Sequence, residues 1–351
     1  MADAERPYLL DHLPPGFLEA RARELHRVLP GPTLIELAGR REPPLFVSLL
    51  LHGNEDVGLR AVQELLRTHR LDRLPRSLVL FVGNVAAAAA GVRRLPDQPD
   101  YNRIWPGGGP GITPVHRMAA WVVERMAARG VFASVDLHNN TGRNPHYACV
   151  NRLEPAFLRL ALLFSRIVVH FTRPRGVQSM AFAPLCPAVT VECGRVGDGA
   201  GLRRAAAFLE ACLHLAEIPA RPVSPDEIDL YHTVARVRVR PGARIAFGAG
   251  PDPEADLVLV PDIDRLNFSE LPAGTALGWA RTPEVLVVEN DDGGRMEHAC
   301  LGVEDDGTVL VRCPVVPAML TRDVRVIRQD CLGYLMERLP LPEPARAAGA
   351  G

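Results

Sequence analysis

The chain of 351 residues contains no lysine; its 40 basic residues other than histidine are all arginine. A Schiff-base mechanism is thereby excluded, because no lysine amine exists. Any anionic group the protein binds must meet arginine, a helix N-terminus or a metal. A charge excess of either sign is also lacking: 41 acidic residues leave a formal net charge of −1. No broad basic field is available to hold a nucleic-acid backbone, so no nucleic-acid partner is expected. Long apolar runs are missing too. The run at 45–51 falls far short of the ~20 residues that span a bilayer, so no membrane partner is expected. The first 20 residues carry Asp3, Glu5, Arg6 and Asp11 and lack the apolar core of a secretory signal. The seven cysteines are odd in number and form no CxxC pair, which argues against a disulfide framework and against a zinc ribbon. Reduced, buried thiols and a cytoplasmic location are expected.

Between residues 45 and 216, short apolar runs alternate with longer amphipathic segments. Residues 46–51, 78–82, 131–137 and 188–191 read as buried strands. Residues 59–69, 115–129, 155–167 and 202–217 read as helices, with Gly130 stopping the second and Pro219 lying beyond the fourth. This alternation predicts an α/β sheet flanked by helices. The Pro-rich stretch at 219–225 marks a change of character. Beyond it short strands are predicted at 233–240, 276–280, 285–288, 308–312 and 324–327, separated by turns that include 291–294 and 305–307. The expected organisation is a catalytic domain over 1–220, a smaller β-rich domain over 225–340, and a disordered tail over 341–351.

Four elements carry chemistry. HGNEDVG at 52–58 follows one buried strand and precedes a helix. The carboxyl ends of strands are where sites form in open α/β sheets. Across that turn His52 and Glu55 can converge on one ion. SVDLHNNTG at 134–142 presents His138 at the end of another strand. If the two strands are neighbours, His52, Glu55 and His138 supply three zinc ligands and leave a fourth position open for water, as in catalytic zinc sites. Asp136 either orients a ligand or bonds its own backbone. TVECG at 190–194 places Glu192 directly after a strand, where a buried carboxylate needs a partner. That partner is either a metal-activated water or Arg195. The fourth element, residues 91–107, is a Pro- and Gly-rich loop bearing Arg93, Arg94 and Arg103, residues suited to bidentate carboxylate contacts. The nine histidines outside these elements, His69, His146 and His214 among them, read as surface or satisfied core residues, although His146 lies close enough to His138 to join the site.

Taken together, the four elements resemble the succinylglutamate desuccinylase/aspartoacylase family, a branch of the zinc carboxypeptidase clan. The likeness runs over about 45–216 on His52 to Gly58, on Asn84, Ala86, Arg94, Asp100, Asn102 and Arg103, on Asp136 to His138, and on Thr190 to Gly194. It implies a zinc-carboxypeptidase-like mixed sheet and one zinc ion per chain held by His52, Glu55 and His138. Glu192 is implied as general base and acid. Arg94 is implied to polarise the scissile carbonyl, with Arg93 the alternative because one extra residue stands before Asn102. Asn102 and Arg103 are implied to grip a substrate carboxylate. Leu95 and Val85 replace the family's usual Tyr and Pro. Phe182 stands where some members carry an Arg for an acidic acyl group, and Arg143, Arg173, Arg175 and Arg195 are the candidate substitutes.

The function expected from this reading is zinc-dependent cleavage of an N-acyl amino acid or related small amide. The alternatives are a metallocarboxypeptidase acting on a short peptide and a non-catalytic metal-binding homologue. A homo-oligomer is compatible with it.

Overall fold

The computed structural model describes residues 5–290 and 300–341; the turn expected at 291–294, His298 and the tail beyond residue 341 lie outside them. In chain order the strands are β1 (Tyr8–Leu10), β2 (Thr33–Leu37), β3 (Leu45–Leu49), β4 (Leu78–Val82), β5 (Ala133–Asn140), β6 (Tyr147–Val150), β7 (Ile167–His170), β8 (Ala188–Arg195) and β9 (Asp229–Val239). They continue with β10 (Ile245–Phe247), β11 (Leu257–Leu259), β12 (Ala276–Ala280), β13 (Leu286–Asn290), β14 (Leu301–Val303), β15 (Thr308–Val311), β16 (Val316–Ala318) and β17 (Gly333–Arg338). The α-helices are α1 (Val57–Thr68), α2 (Val85–Ala90), α3 (Pro114–Arg129), α4 (Pro155–Leu162), α5 (Gln178–Phe182), α6 (Gly199–His214) and α7 (Val324–Gln329).

A 12-stranded mixed sheet runs β1-β2-β4-β3-β5-β8-β6-β7-β9-β17-β16, with β13 also paired to β9. Its centre, β4-β3-β5-β8, is parallel. Those strands are buried along almost their whole length, which is why they are rich in apolar residues, with the polar side chains of β5 and β8 gathered toward their carboxyl ends. A second, five-stranded sheet runs β10-β11-β12-β15-β14. The mixed sheet flanked by helices, with a smaller sheet beside it, is the fold class anticipated from the sequence.

The C-terminal half does not keep all its strands to itself. Strand β9 pairs in parallel with β7, Ile167 opposite Asp229, and β13 and β17 pair with β9. The main sheet therefore runs from the strands that bear the chemistry into residues beyond 225.

Two local expectations are corrected. The helix read over 155–167 ends at Leu162, and Ile167 opens β7. Ser165 makes the break: its hydroxyl donates to His146 O and accepts from Ile167 N, and the β-branched pair Ile167-Val168 suits a strand. Residues 324–327, read as a strand, form α7 instead. The Asp323 carboxylate accepts from Arg325 N and caps the helix.

Candidate active site and metal centre

Strands β3, β5 and β8 are neighbours, so their carboxyl ends bring the three strongest elements together. Leu50 turns the chain out of β3 through left-handed backbone (φ 54°), a conformation that costs roughly 1–2 kcal/mol in a non-glycine residue. The turn that follows lies against α2. A Cβ on Gly53 would stand 2.2 Å from the carbonyl carbon of Ala87, so only glycine fits there. Gly53 N donates to Arg93 O, which fixes the start of the arginine loop beside the turn. Strand β5 carries His138 opposite Glu192 of β8.

His52, Glu55 and His138 are buried, and each offers a ligand atom within 4.8 Å of the others. Glu55 stands between two imidazoles. Its Oε1 is 2.8 Å from His52 Nδ1 and its Oε2 is 2.7 Å from His138 Nδ1. The far nitrogens are held as well. His52 Nε2 lies 3.0 Å from Asp100 Oδ1, and His138 Nε2 lies 2.8 Å from Asp136 Oδ2. A carboxylate on Nε2 keeps a proton there and leaves Nδ1 to face an ion. Asp136 is itself fixed by the Ser48 hydroxyl at 2.7 Å. Of the two readings of Asp136, the contact with His138 is the one the structure shows.

The electrostatics fit a cation. Burial and the Arg93 charge press His52 downward, but Glu55 and Asp100 outweigh them and its pKa is raised. Burial likewise opposes charge on His138, and Asp136 with Glu55 carries its pKa well above the ordinary histidine value. Burial would raise Glu55, yet the two imidazoles hold it far below the usual carboxylate range. The trio thus stabilises positive charge at the Nδ1 positions, where a divalent ion would take the place of the shared protons. Two imidazoles and a carboxylate form a donor set suited to zinc.

Glu192 lines the same pocket, and its Oε2 has no hydrogen-bond partner among the described residues. It forms no ion pair with Arg195, which is exposed. Burial raises the Glu192 pKa to about 7. The unpartnered oxygen and that value together suit a group that takes up and returns a proton near neutrality.

The loop residues divide. Arg94 turns away: its Nη1 donates to Gln98 O at 2.9 Å, and it does not line the pocket. Arg93 does line it, with Nη2 2.9 Å from Asp100 Oδ2 and Nη1 3.8 Å from Glu55 Oε1. The arginine beside the buried trio is therefore Arg93, the alternative noted from the sequence. Asn102 borders the pocket, but its amide is engaged within the protein. Nδ2 donates to Asp136 Oδ2 at 3.2 Å and Oδ1 accepts from Gln178 N at 3.0 Å. This geometry braces Asp136 and His138. Arg103 reaches the pocket, its Nη2 3.3 Å from Asp330 Oδ1.

Asp330, at the C-cap of α7, was not anticipated. Its carboxylate meets Arg93 at 3.4 Å, Arg103 at 3.3 Å and Arg236 at 2.6 Å. Burial opposes its ionisation, but the three guanidiniums hold its pKa down to about 2. No local pattern marked it, because its partners lie far away along the chain. Asp100 was noted only as part of the loop motif, and its contact with His52 likewise depends on the fold.

The remaining pocket wall is largely apolar, with Tyr147, Val169, Val177, Met319 and Met336. Phe182 packs in the core against Phe46, ring centroids 4.3 Å apart, and does not reach the cavity. Of the substitute arginines, Arg173 lines the cavity, whereas Arg143 lies 3.5 Å from Asp264. His146 binds Asp198 at 2.9 Å and stands outside the trio.

Residues 43–217 match the family described as the succinylglutamate desuccinylase/aspartoacylase catalytic domain. No curated protein sequence matches the chain. Among solved structures, the fold is similar to succinylglutamate desuccinylase from Chromobacterium violaceum, at 19% identity and TM-score 0.54 over 86% of each chain. It is similar to the desuccinylase from Vibrio parahaemolyticus, at 14% identity and TM-score 0.57 over 88% of this chain and 86% of that one. It is also similar to murine aminoacylase 3, at 16% identity and TM-score 0.50 over 85% of this chain and 97% of that one. Because the matched segment contains every strand on which the trio and Glu192 stand, the chain belongs to the succinylglutamate desuccinylase/aspartoacylase family.

Proposed function

We propose that the protein is a zinc-dependent hydrolase that cleaves the amide bond of an N-acyl amino acid or a related small amide. The observation that carries this reading is the buried Glu192 carboxylate, its Oε2 without a hydrogen-bond partner among the described residues, beside a buried trio of two imidazoles and a carboxylate. Zinc held by His52, Glu55 and His138 supplies Lewis acidity toward water and toward a carbonyl oxygen. Glu192 takes a proton from the attacking water and returns it to the leaving nitrogen. Arg93 presents its guanidinium to the oxygen that becomes negative as the carbonyl carbon turns tetrahedral. Asp100, Asp136 and Asn102 keep the two imidazoles in one orientation. Arg103 holds the substrate's carboxylate end.

In this reading residues 1–220 carry the chemistry and residues 318–336 of the C-terminal half roof the pocket. Cys331, Tyr334 and Met336 of the C-terminal half border the same cavity as His52. A roof of that kind favours a small substrate over an extended peptide. Among the described residues no helix is long and apolar enough to cross a membrane.

The test is a hydrolysis screen of zinc-loaded protein against N-acyl amino acids and short peptides, with zinc content measured in parallel. Turnover of one acyl class is expected, and His52→Ala and His138→Ala should abolish it together with the zinc of this site. Full zinc occupancy without hydrolysis of any member would overturn the reading. Peptide cleavage alone would transfer it to a carboxypeptidase.

A further inference from the structure

A second group of the same composition lies outside the pocket. His69, Glu210 and His214 also place one ligand atom each within 4.8 Å of one another. Glu210 again stands between two imidazoles, its Oε2 2.6 Å from His69 Nε2 and its Oε1 2.9 Å from His214 Nε2. The ring centroids are 6.2 Å apart. None of the three lines the catalytic cavity, and the proposed reaction makes no use of them.

The scaffold holds them in place. Glu210 and His214 are four residues apart on α6 and share one face of it. His69 is the C-cap of α1, which packs against α6. His214 is the last residue of α6. Two helix C-termini therefore meet here, and each is the negative end of a helix dipole, which favours a cation. Arginines already answer that field at the backbone. Arg76 Nη2 donates to Leu215 O and Ala216 O, and Arg41 Nη1 to His214 O. These arginines take carbonyl oxygens, while the carboxylate and the two imidazoles remain directed at one another.

The donor set has the intermediate softness that suits zinc and its neighbours among divalent transition metals. Tetrahedral zinc needs its donors roughly 3.3 Å apart, and the three ligand atoms already lie within 4.8 Å of one another. His214 and Glu210 are partly exposed, so an ion has a way in and a solvent-facing position for water.

We propose that His69, Glu210 and His214 form a second, superficial site for a divalent transition-metal ion, zinc foremost, that ties the C-terminus of α1 to that of α6. Its placement gives it mechanical reach. Helix α1 begins at Val57, within the 52–58 turn that bears His52 and Glu55, and α6 follows the strand that bears Glu192. A metal here clasps the distal ends of the two helices that lead away from the site.

The full chain is stripped with chelator and titrated with zinc by calorimetry, and bound zinc is counted after equilibrium dialysis. Wild type is expected to hold two equivalents, His214→Ala and Glu210→Gln one, His138→Ala one, and His138→Ala/His214→Ala none. In the His138→Ala background zinc should raise the melting temperature, and adding His214→Ala should remove that rise. An unchanged zinc count in both His214→Ala and Glu210→Gln overturns the proposal, as does a wild-type count of one that His138→Ala abolishes. Since the count is read without any substrate, failure of the catalytic reading leaves this result standing, and the reverse holds too.

Discussion

The buried trio and the surface trio both set one carboxylate between two imidazoles, through Nδ1 atoms in the first and Nε2 atoms in the second, and they differ further in what surrounds them. At Glu55 each imidazole is backed by a further carboxylate, Asp100 or Asp136. At Glu210, among the described residues, no second carboxylate backs either ring. The buried trio faces Glu192, whereas the other faces solvent at the helix ends. On the proposed reading, three ligand atoms are enough to attract an ion, and reactivity is added by what surrounds them.

The largest expected effect tests that statement directly. Glu192→Gln keeps the volume and removes the base, so turnover should fall by something like 10²–10⁴-fold with zinc retained. Steady-state kinetics and metal analysis on one purified variant decide it. Zinc loss would make Glu192 a ligand instead. Glu210→Gln, the matching change at the surface, should leave turnover near wild type.

Next in size are the backing carboxylates. Asp100→Asn should weaken zinc binding at the buried trio by roughly 10–100-fold, measured by competition with a chelator. An unaltered affinity would mean that the two trios differ in burial alone.

A smaller effect is expected at the arginines. Arg103→Lys keeps the charge but loses the planar fork, and should raise KM by about tenfold, or about 1.4 kcal/mol. Equal KM values would show that this wall of the pocket works by charge rather than shape.

The smallest effect separates the trios by stability. In metal-free protein His214→Ala should change unfolding free energy by roughly 0.2–1 kcal/mol, and added salt should shrink the difference. Denaturant unfolding at two ionic strengths is the check. A larger, salt-insensitive loss would mean that the surface trio behaves as a buried one.

The parts of this arrangement that were legible in the sequence are those in which one strand end positions one side chain. His52, Glu55, His138 and Glu192 follow buried runs, and parallel strands align such ends without further information. Loop residues escaped, because their direction is set by distant partners. Arg93 is aimed at the pocket by Gly53 N on its carbonyl and by Asp100 on its guanidinium, while Arg94 is drawn off by Gln98 O. The resemblance implied a substrate contact for Asn102, while its bond to Asp136, across 34 positions, left no mark in the local sequence. Asp330 was invisible for the same reason on a larger scale, with 227 positions separating it from Arg103. Helix α7 escaped because the cap made by Asp323 is known only from the fold.

Asp330 also changes what it means for an anion to enter. Arg93 and Arg103 already share its carboxylate, so an incoming carboxylate does not meet bare positive charge. It trades places with, or crowds beside, a tenant of the same kind. On the proposed reading, entry would be an exchange of one ion pair for another, in which much of the Coulombic gain cancels. What remains to tell one guest from another is shape, and the apolar wall of the cavity is where shape is read.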